Sequence, residues 1–175
     1  PTDQPSAFVL REGEQYGFDS QSPHTLDADE FRAEVARAER LLREGLVGEA
    51  LSHFVNAEDL YRGDFLEEDL YEDWCAPQRV ELQEMHLRVL EALASGWLDR
   101  GDAERAAEFC RQALTADPLR EAIHRLYLRA LYRAGRRAEA LRVHQAFRRQ
   151  LRHELGVQPT PETEKVYEAV LRQAL

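Results

Sequence analysis

Apolar residues recur at intervals of three and four from Leu26 to the end of the chain, which is the period of an α-helix. The pattern predicts about seven helices, over 27–45, 47–63, 77–101, 102–116, 119–134, 136–155 and from 161 onward. The inward residues of the first two helices are expected to be Phe31, Val35, Ala38, Leu42, Val47, Ala50, Leu51 and Phe54. Those of the third and last are expected to be Leu90, Leu93, Trp97, Val166, Tyr167, Val170 and Leu171. The sequence therefore predicts an all-α fold.

Two of the predicted helices begin with capping signals. Asp27, with Glu30 three residues later, has the spacing of a capping box, whose N-cap is worth about 1 kcal/mol. In "ELGVQPTPE" a glycine and a proline end one helix, Thr160 is expected to cap the next, and Pro161 suits its first position. The last helix is expected to fold back over the open end of the preceding helices.

The residues before Leu26 have a different character. "PTDQPS" is typical of a linker, and "AFVLREGEQYGFD" places two short apolar and aromatic runs on either side of Gly13. This arrangement favours a small β-hairpin. We therefore expect a linker and hairpin over residues 1–25, followed by a helical domain over 26–175.

The turns between the predicted helices repeat. "GLVGEA", "GDAERA" and "GRRAEA" begin at Gly45, Gly101 and Gly135, and the last two lie 34 residues apart. That spacing is the tetratricopeptide period, in which glycine turns the chain and a small alanine lets paired helices approach. The wider first gap indicates an inserted segment around 63–83. The fold predicted is a tetratricopeptide-like helical-repeat solenoid with a concave side.

Charge is distributed unevenly along the 175 residues. The net charge is −10, yet residues 1–83 hold 20 acidic and 7 basic residues, whereas residues 84–175 hold 13 and 16. An acidic chain of this kind is not expected to wrap nucleic acid by itself. No apolar run has the length of a membrane span, and no signal segment opens the sequence. With only two cysteines, reduced thiols and a cytoplasmic location are expected.

Three segments, taken in order, resemble the bacterial transcriptional activator domain. They are "LYRGDFLEEDLYEDW", "DPLREAIHRLYLRALYRAGRRAEALRVHQAFRRQL" and "ELGVQPTPETEKVYEAVL". This domain is the tetratricopeptide-like module of the Streptomyces antibiotic regulatory protein family and its relatives, and the similarity covers about residues 26–175. The resemblance implies regulatory contacts, dimerisation or engagement of RNA polymerase, and a module that holds a DNA-binding domain in place.

The sequence departs from the family pattern before residue 26. Family members carry an upstream winged-helix domain, and here only "AFVLREGEQYGFDSQSPHTLDADEF" is similar to its final wing hairpin. The chain also begins with Pro1 rather than methionine, so we expect a fragment. DNA binding is then expected only through the missing winged helix. If the chain is complete, a stand-alone interaction module is favoured instead.

Candidate chemistry other than protein binding is weak in this sequence. The acidic residues between Asp64 and Asp73 lack the spacing and central glycine of a calcium loop, so a solvated amphipathic turn is favoured over a metal site. "HELG" has no second histidine four residues on, and the six histidines are scattered, which is typical of surface or packing roles. No phosphate-binding glycine loop or nucleophile motif occurs. We expect no catalysis, no cofactor, no metal and no small-molecule substrate.

The arginines are the better candidates for a functional site. Alignment on Gly135 places four residues on the groove side of a repeat helix, and Arg88 joins them from the preceding repeat, giving a predicted partner-binding set of Arg88, Arg125, Arg129, Tyr132 and Arg133. Arg32 and Arg43 of the first repeat are expected on the same surface. Guanidinium groups suit carboxylates or phosphates. The alternative is that these arginines pair with the chain's own acidic half, as exposed ion pairs worth about 0–1 kcal/mol each.

Two functions remain open at this point. The first is a regulatory module of a bacterial transcription activator, whose protein partner is RNA polymerase, another regulator or a second copy of the chain. The second is a stand-alone tetratricopeptide adaptor that binds an acidic peptide or protein. Neither function involves a membrane.

Overall fold

A computed structural model of the chain describes residues 9–13, 15–18, 25–66 and 74–175. Two antiparallel strands, β1 (Val9–Glu12) and β2 (Gln15–Phe18), form the predicted hairpin. Within the described residues seven helices then follow: α1 (Asp27–Arg43), α2 (Val47–Leu60), α3 (Ala76–Asp99), α4 (Ala103–Ala116), α5 (Glu121–Arg133), α6 (Arg137–Glu154) and α7 (Pro161–Arg172). The predicted all-α, tetratricopeptide-like architecture is confirmed.

Three helix pairs make up the array. The pairs α1–α2, α3–α4 and α5–α6 each pack together, and α7 packs against both α5 and α6. Gly45, Gly101 and Gly135 follow α1, α3 and α5 with φ of 78°, 85° and 76°, a left-handed conformation that costs glycine little. In all three turns the amide after the glycine donates to a carbonyl five residues earlier, at 2.8–2.9 Å. The sequence repeat is therefore a repeat of one turn geometry.

Three side chains that were predicted to face inward are exposed, and one predicted helix cap does not form. Leu42, Val47 and Leu171 are exposed, and Leu41 is buried instead of Leu42. Leu41 and Leu42 lie three and four positions after Ala38, and both spacings fit the helical period. Packing therefore decides which of the two side chains faces the core. The Asp27 capping box does not form: Leu26 is the N-cap, and an oxygen of the Asp27 carboxylate accepts from the amide of Ala28 at 2.8 Å.

The core has two parts that share partly buried aromatic residues. One part lies among α1, α2 and α3, the other among α3 to α7, and Trp97 and Phe109 pack against both. Leu90 and Leu93 are buried as predicted. Trp97 thus links the two parts of the core.

Both cysteines lie in buried positions. No disulfide joins Cys75 to Cys110 in the described chain, and burial, with a smaller effect of Glu91, raises the pKa of the Cys110 thiol to about 12. A thiol so far from ionisation is a poor nucleophile. Among the helices that the structure describes, none is both long and apolar enough to cross a bilayer.

Gly96 of α3 packs directly against the side chain of Leu51 in α2. A Cβ atom added there would lie 2.4 Å from Cδ2 of Leu51 and within 3.0 Å of two further atoms of that side chain. We expect Gly96→Val to lower the free energy of unfolding by about 2 kcal/mol, because overpacking typically costs 1–3 kcal/mol. Gly48→Ala in α2 is the control. Its Cβ would meet only the end of Arg100 at 3.4 Å, so urea denaturation should show no loss.

Candidate functional site

The helices α1, α3, α5 and α7 contact one another in succession and form one side of the array. Between α3 and α5 lies a cavity of about 470 Å³, lined by Arg88, Glu91, Ala92, Ser95, Ala122, Arg125, Leu126 and Arg129. A second, of about 440 Å³, lies between α5 and α7 and is lined by Arg125, Arg129, Glu162, Lys165, Val166, Ala169 and Leu175. We call the two together the groove.

Three of the five predicted partner-binding residues meet in the groove. Arg88 comes from α3, and Arg125 and Arg129 lie one turn apart on α5. Arg125 is half-buried, and its Nη1 donates to Oγ1 of Thr163 in α7 at 3.2 Å. Arg88 and Arg129 are exposed and form no ion pair or side-chain hydrogen bond with any residue that the structure describes. Two guanidinium groups are thus available to a ligand.

The other two predicted residues, Arg133 and Tyr132, contact other parts of the domain instead of lining the groove. Nη1 of Arg133 donates to the carbonyl of Leu98 at 3.2 Å, in the last turn of α3. This bond satisfies one of the carbonyl groups that every helix end leaves without an intrahelical partner. Tyr132 is half-buried and packs against the larger core cluster. The geometry does not bring Tyr132 or Arg133 into the groove lining.

Residues of α7 complete the groove and were not predicted as site residues. Lys165 and Glu162 line its second cavity, and Glu91 lines the first. The groove lining therefore holds four basic and two acidic side chains in a chain whose net charge is −10. The spacing of 162, 165, 166 and 169 marks one helical face, but the sequence alone does not show which helix that face meets.

Three other arginines, Arg32, Arg120 and Arg136, pair with acids of the chain, although of these only Arg32 pairs with the acidic first half that the alternative interpretation named. Arg120 contacts Glu84 at 3.0 Å, and Arg136 contacts Glu104 at 2.7 Å and Glu139 at 2.8 Å. Arg32 likewise pairs with Asp29 and Glu81. These ion pairs neutralise arginines that do not line the groove, and they leave the groove with an excess of positive charge.

The carboxylate of Glu121, beside the groove, connects the N-terminal ends of α5 and α7. Glu121 in the first turn of α5 accepts from the amide of Thr160 at 2.9 Å and from the hydroxyls of Thr160 and Thr163. Burial acts to raise the pKa of Glu121, but hydrogen bonds from Thr160 and Thr163 outweigh it, so the pKa lies below its ordinary value. The "PLRE" and "QPTPE" segments therefore meet in space.

This contact corrects one prediction about the last helix. Thr160 is the N-cap of α7 and Pro161 is at its start, as predicted, but the Thr160 side chain forms no capping hydrogen bond within its own helix. Its hydroxyl donates to Glu121 at 2.6 Å instead. The carboxylate lies at the positive ends of both α5 and α7, where negative charge is favoured.

Two histidines are buried next to this contact. His124 stacks on Phe147 and His144 on Tyr167, with ring centroids 4.0 and 4.1 Å apart, and the two imidazoles approach to 3.4 Å between Nε2 and Nδ1. Burial, and the proximity of His144, lower the pKa of His124 to about 3. Burial also lowers the pKa of His144. These rings have the packing role expected for some of the histidines.

The acidic segment that raised the question of a metal is described only at its start. The carboxylate of Asp64 accepts from the hydroxyl of Tyr61 at 2.9 Å and from the side-chain amide of Gln83 at 2.7 Å. The acidic residues within 67–73 lie outside the described residues. Elsewhere in the described part, no three potential ligands are grouped closely enough to hold a metal ion.

The helix pairs, the repeated glycine turn and the groove define a tetratricopeptide-like helical-repeat domain. Residues 26–171 match the family described as "Bacterial transcriptional activator domain". The chain belongs to this family, as its resemblance to regulators of the Streptomyces antibiotic regulatory protein family implied. The family is one of transcriptional regulators rather than a class of enzymes.

The similar curated proteins are Streptomyces regulators. The chain is 41% identical to the regulatory protein AfsR of Streptomyces coelicolor over 95 residues, which is 54% of this chain and 10% of AfsR. It is 34% identical to the regulatory protein DnrI of Streptomyces peucetius over 159 residues, which is 85% of this chain and 57% of DnrI. The chain thus spans from about a tenth to somewhat over half of these relatives.

Solved structures with the same fold include proteins of Mycobacterium tuberculosis and of yeast. Mycobacterium tuberculosis EmbR, solved with a low-affinity phosphopeptide, matches 96% of this chain and 44% of its own, with a TM-score of 0.77 and 22% identity. The TPR2B domain of yeast Sti1, solved in a complex with pHsp70, matches 85% of this chain and 99% of its own, with a TM-score of 0.56 and 15% identity. At such identities the likeness shows the fold alone.

Proposed function

We propose that residues 26–175 are the regulatory module of a bacterial transcription activator and bind a protein partner through the groove. Residues 1–25 are then the linker and hairpin that follow a winged-helix DNA-binding domain, and the site of action is the cytoplasm. The partner is RNA polymerase, another regulator or a second copy of the chain. We expect the partner to present carboxylates to the arginines of the groove.

The observation that carries this proposal is the pair Arg88 and Arg129. Both guanidinium groups border the same cavity, and neither has a partner among the described residues. Arg125, held by Thr163, fixes a third positive charge between the two cavities. Leu126 and Val166 add apolar surface to the lining. A charged groove with an apolar floor is the kind of surface that binds an acidic amphipathic segment.

The test uses the full-length regulator with its natural upstream region. We expect Arg88→Ala/Arg129→Ala to lower expression from a target-promoter reporter by about tenfold, which corresponds to about 1.4 kcal/mol of lost partner binding. DNA binding and thermal stability should remain unchanged. Arg111→Ala/Arg172→Ala is a charge-matched control, because each of these exposed arginines pairs with a glutamate of its own helix. Equal activity of the two double variants would contradict the proposal.

The positive charge of the groove also favours the second function, an adaptor that binds an acidic peptide without acting on transcription. The two functions differ in what precedes residue 1. If the natural gene encodes no DNA-binding domain, and the isolated chain binds a glutamate-rich peptide that Arg129→Ala fails to bind, the adaptor is the function. Calorimetric titration of the peptide into both forms of the chain makes this comparison.

A further inference from the structure

The exposed side of α6 is a second basic surface, separate from the groove. Arg142, Gln145, Arg149, Arg152 and His153 follow one another at intervals of one, three and four residues and are all exposed. At about 100° per residue these positions fall within one face of the helix, and the stretch from 142 to 153 extends about 16 Å along its axis. We call this surface the α6 basic face.

Among the described residues no carboxylate of α6 forms an ion pair with this face, although Arg136 chiefly, and Arg142 to a smaller extent, lower the pKa of Glu139. Glu139 is held by Arg136 at 2.8 Å, and Glu154 accepts from the amide of Gln150 at 3.0 Å. Arg142 and Arg149 form no ion pair or side-chain hydrogen bond with any described residue. No carboxylate lines the open cavity of about 540 Å³ on this helix, which is bordered by Gln145, Arg148, Arg149, Arg152 and His153.

Arg152 of this face and the neighbouring Arg148 each contact a residue outside α6. With the Gln158 amide oriented so that its oxygen faces Arg152, Nε and Nη2 of Arg152 donate to that oxygen at 3.1 and 2.9 Å. Nε of Arg148, beside the face, lies 3.5 Å from Glu164 of α7. Arg152 is thus held in place by a neutral acceptor, which leaves its charge uncompensated.

The α6 basic face differs from the groove in one respect that indicates its ligand. None of the large apolar side chains within α6 is exposed, and the exposed Leu155 and Val157 lie beyond the end of the helix. Arginines contribute strongly to protein interfaces where they are desolvated in well-packed pockets beside buried aromatic and aliphatic anchors. A row of cations without an apolar anchor fits the phosphate backbone of a nucleic acid instead, where charge neutralisation and counterion release dominate affinity.

From this geometry we infer that the α6 basic face contacts the phosphate backbone of duplex DNA without regard to sequence. The overall charge of −10 does not oppose this, because most of the excess acid lies in residues 1–83. Salt at about 0.1 M screens exposed charges beyond about 10 Å. The sequence assigned DNA contact only to an upstream winged helix, and the α6 basic face adds a second contact within the helical domain itself.

The test measures fluorescence anisotropy of a labelled duplex of about 20 base pairs while the isolated chain is titrated at several salt concentrations. Three phosphate contacts give a slope of about −2.7 for log K against log [salt], so a fourfold increase in salt weakens binding about 40-fold. Arg142→Gln/Arg149→Gln/Arg152→Gln should abolish most of that slope and weaken binding by at least about tenfold at 50 mM salt. Two duplexes of unrelated sequence should bind equally.

A second triple variant serves as the charge-matched control. Arg88→Gln/Arg129→Gln/Lys165→Gln removes three positive charges from the groove, so it reaches the same net charge as the α6 variant. It should keep the affinity and salt slope of the unmodified chain. Equal losses in the two variants would show that only net charge matters and would overturn the inference. So would an unmodified chain that binds no duplex at low salt.

A competition experiment separates DNA from an acidic protein as the ligand. It uses the groove triple variant, so that the groove does not take up the competitor. Linear polyglutamate, added at the same charge concentration as the duplex phosphates, should displace little of the labelled DNA. Displacement as effective as that by unlabelled duplex would assign the α6 basic face to an acidic protein partner and overturn the inference.

Discussion

Replacing Glu121 with alanine is expected to lower the free energy of unfolding by about 3 kcal/mol and to loosen α7 from the array. The carboxylate accepts the Thr160 amide and two threonine hydroxyls, and hydrogen bonds to a charged group contribute about 1.5–3 kcal/mol. Its removal also leaves Thr163, which is fully buried, with fewer acceptors. Urea denaturation at pH 7 measures the loss, and hydrogen exchange of α7 amides shows where it occurs.

Glu162→Ala is the matched control for this prediction. Glu162 is an exposed glutamate in the first turn of α7, and its carboxylate forms no hydrogen bond to a residue that the structure describes. Its loss should cost no more than about 1 kcal/mol, the usual size of a helix-dipole interaction. If both substitutions cost the same, or if exchange accelerates equally throughout the array, the bridge between α5 and α7 is not what holds the last helix.

The helices and their pairing were predictable because local rules and the repeat agree. Gly45, Gly101 and Gly135 each end a helix in the same left-handed conformation, and the apolar period on either side leaves little choice of face. Val47 and Leu171, at the ends of α2 and α7, are exposed although the period places them inward. Another error falls where the period is ambiguous, at Leu41 and Leu42. Sequence spacing places both residues near the inward face, and only packing against neighbouring helices decides between them.

The site was predictable in part, and for a physical reason. Arg125 and Arg129 share a helix, so their spacing alone places them on one face. The partners of Arg133 and Thr160 lie 35 and 39 residues away, at the carbonyl of Leu98 and the carboxylate of Glu121. No local rule gives contacts over such separations. Lys165 was not predicted for the same reason, because it lines the groove only through the packing of α7 against α5.

The stability of the domain is expected to fall as the pH drops from 6.5 towards 4. Burial holds the pKa of His124 at about 3, against an ordinary value of 6.5. Above pH 6.5 the imidazole is neutral in both states. Below it the unfolded chain binds a proton that the folded chain excludes, so the free energy of unfolding falls by about 1.4 kcal/mol per pH unit for this group. Lowered pKa values of His144 and His86 act in the same direction.

Two substitutions identify His124 as the origin of this acid sensitivity. In His124→Leu, which removes the titrating ring but keeps an apolar side chain of similar size, the slope between pH 6 and pH 4 should decrease by about 1.4 kcal/mol per unit. Phe147→Leu removes the ring stacked on His124 but keeps both imidazoles, so it should lower stability at every pH by a similar amount. Chemical denaturation at a series of pH values gives both slopes. An unchanged slope in His124→Leu would mean that the buried imidazole accepts its proton without unfolding, and that the contact between α5, α6 and α7 tolerates a charge.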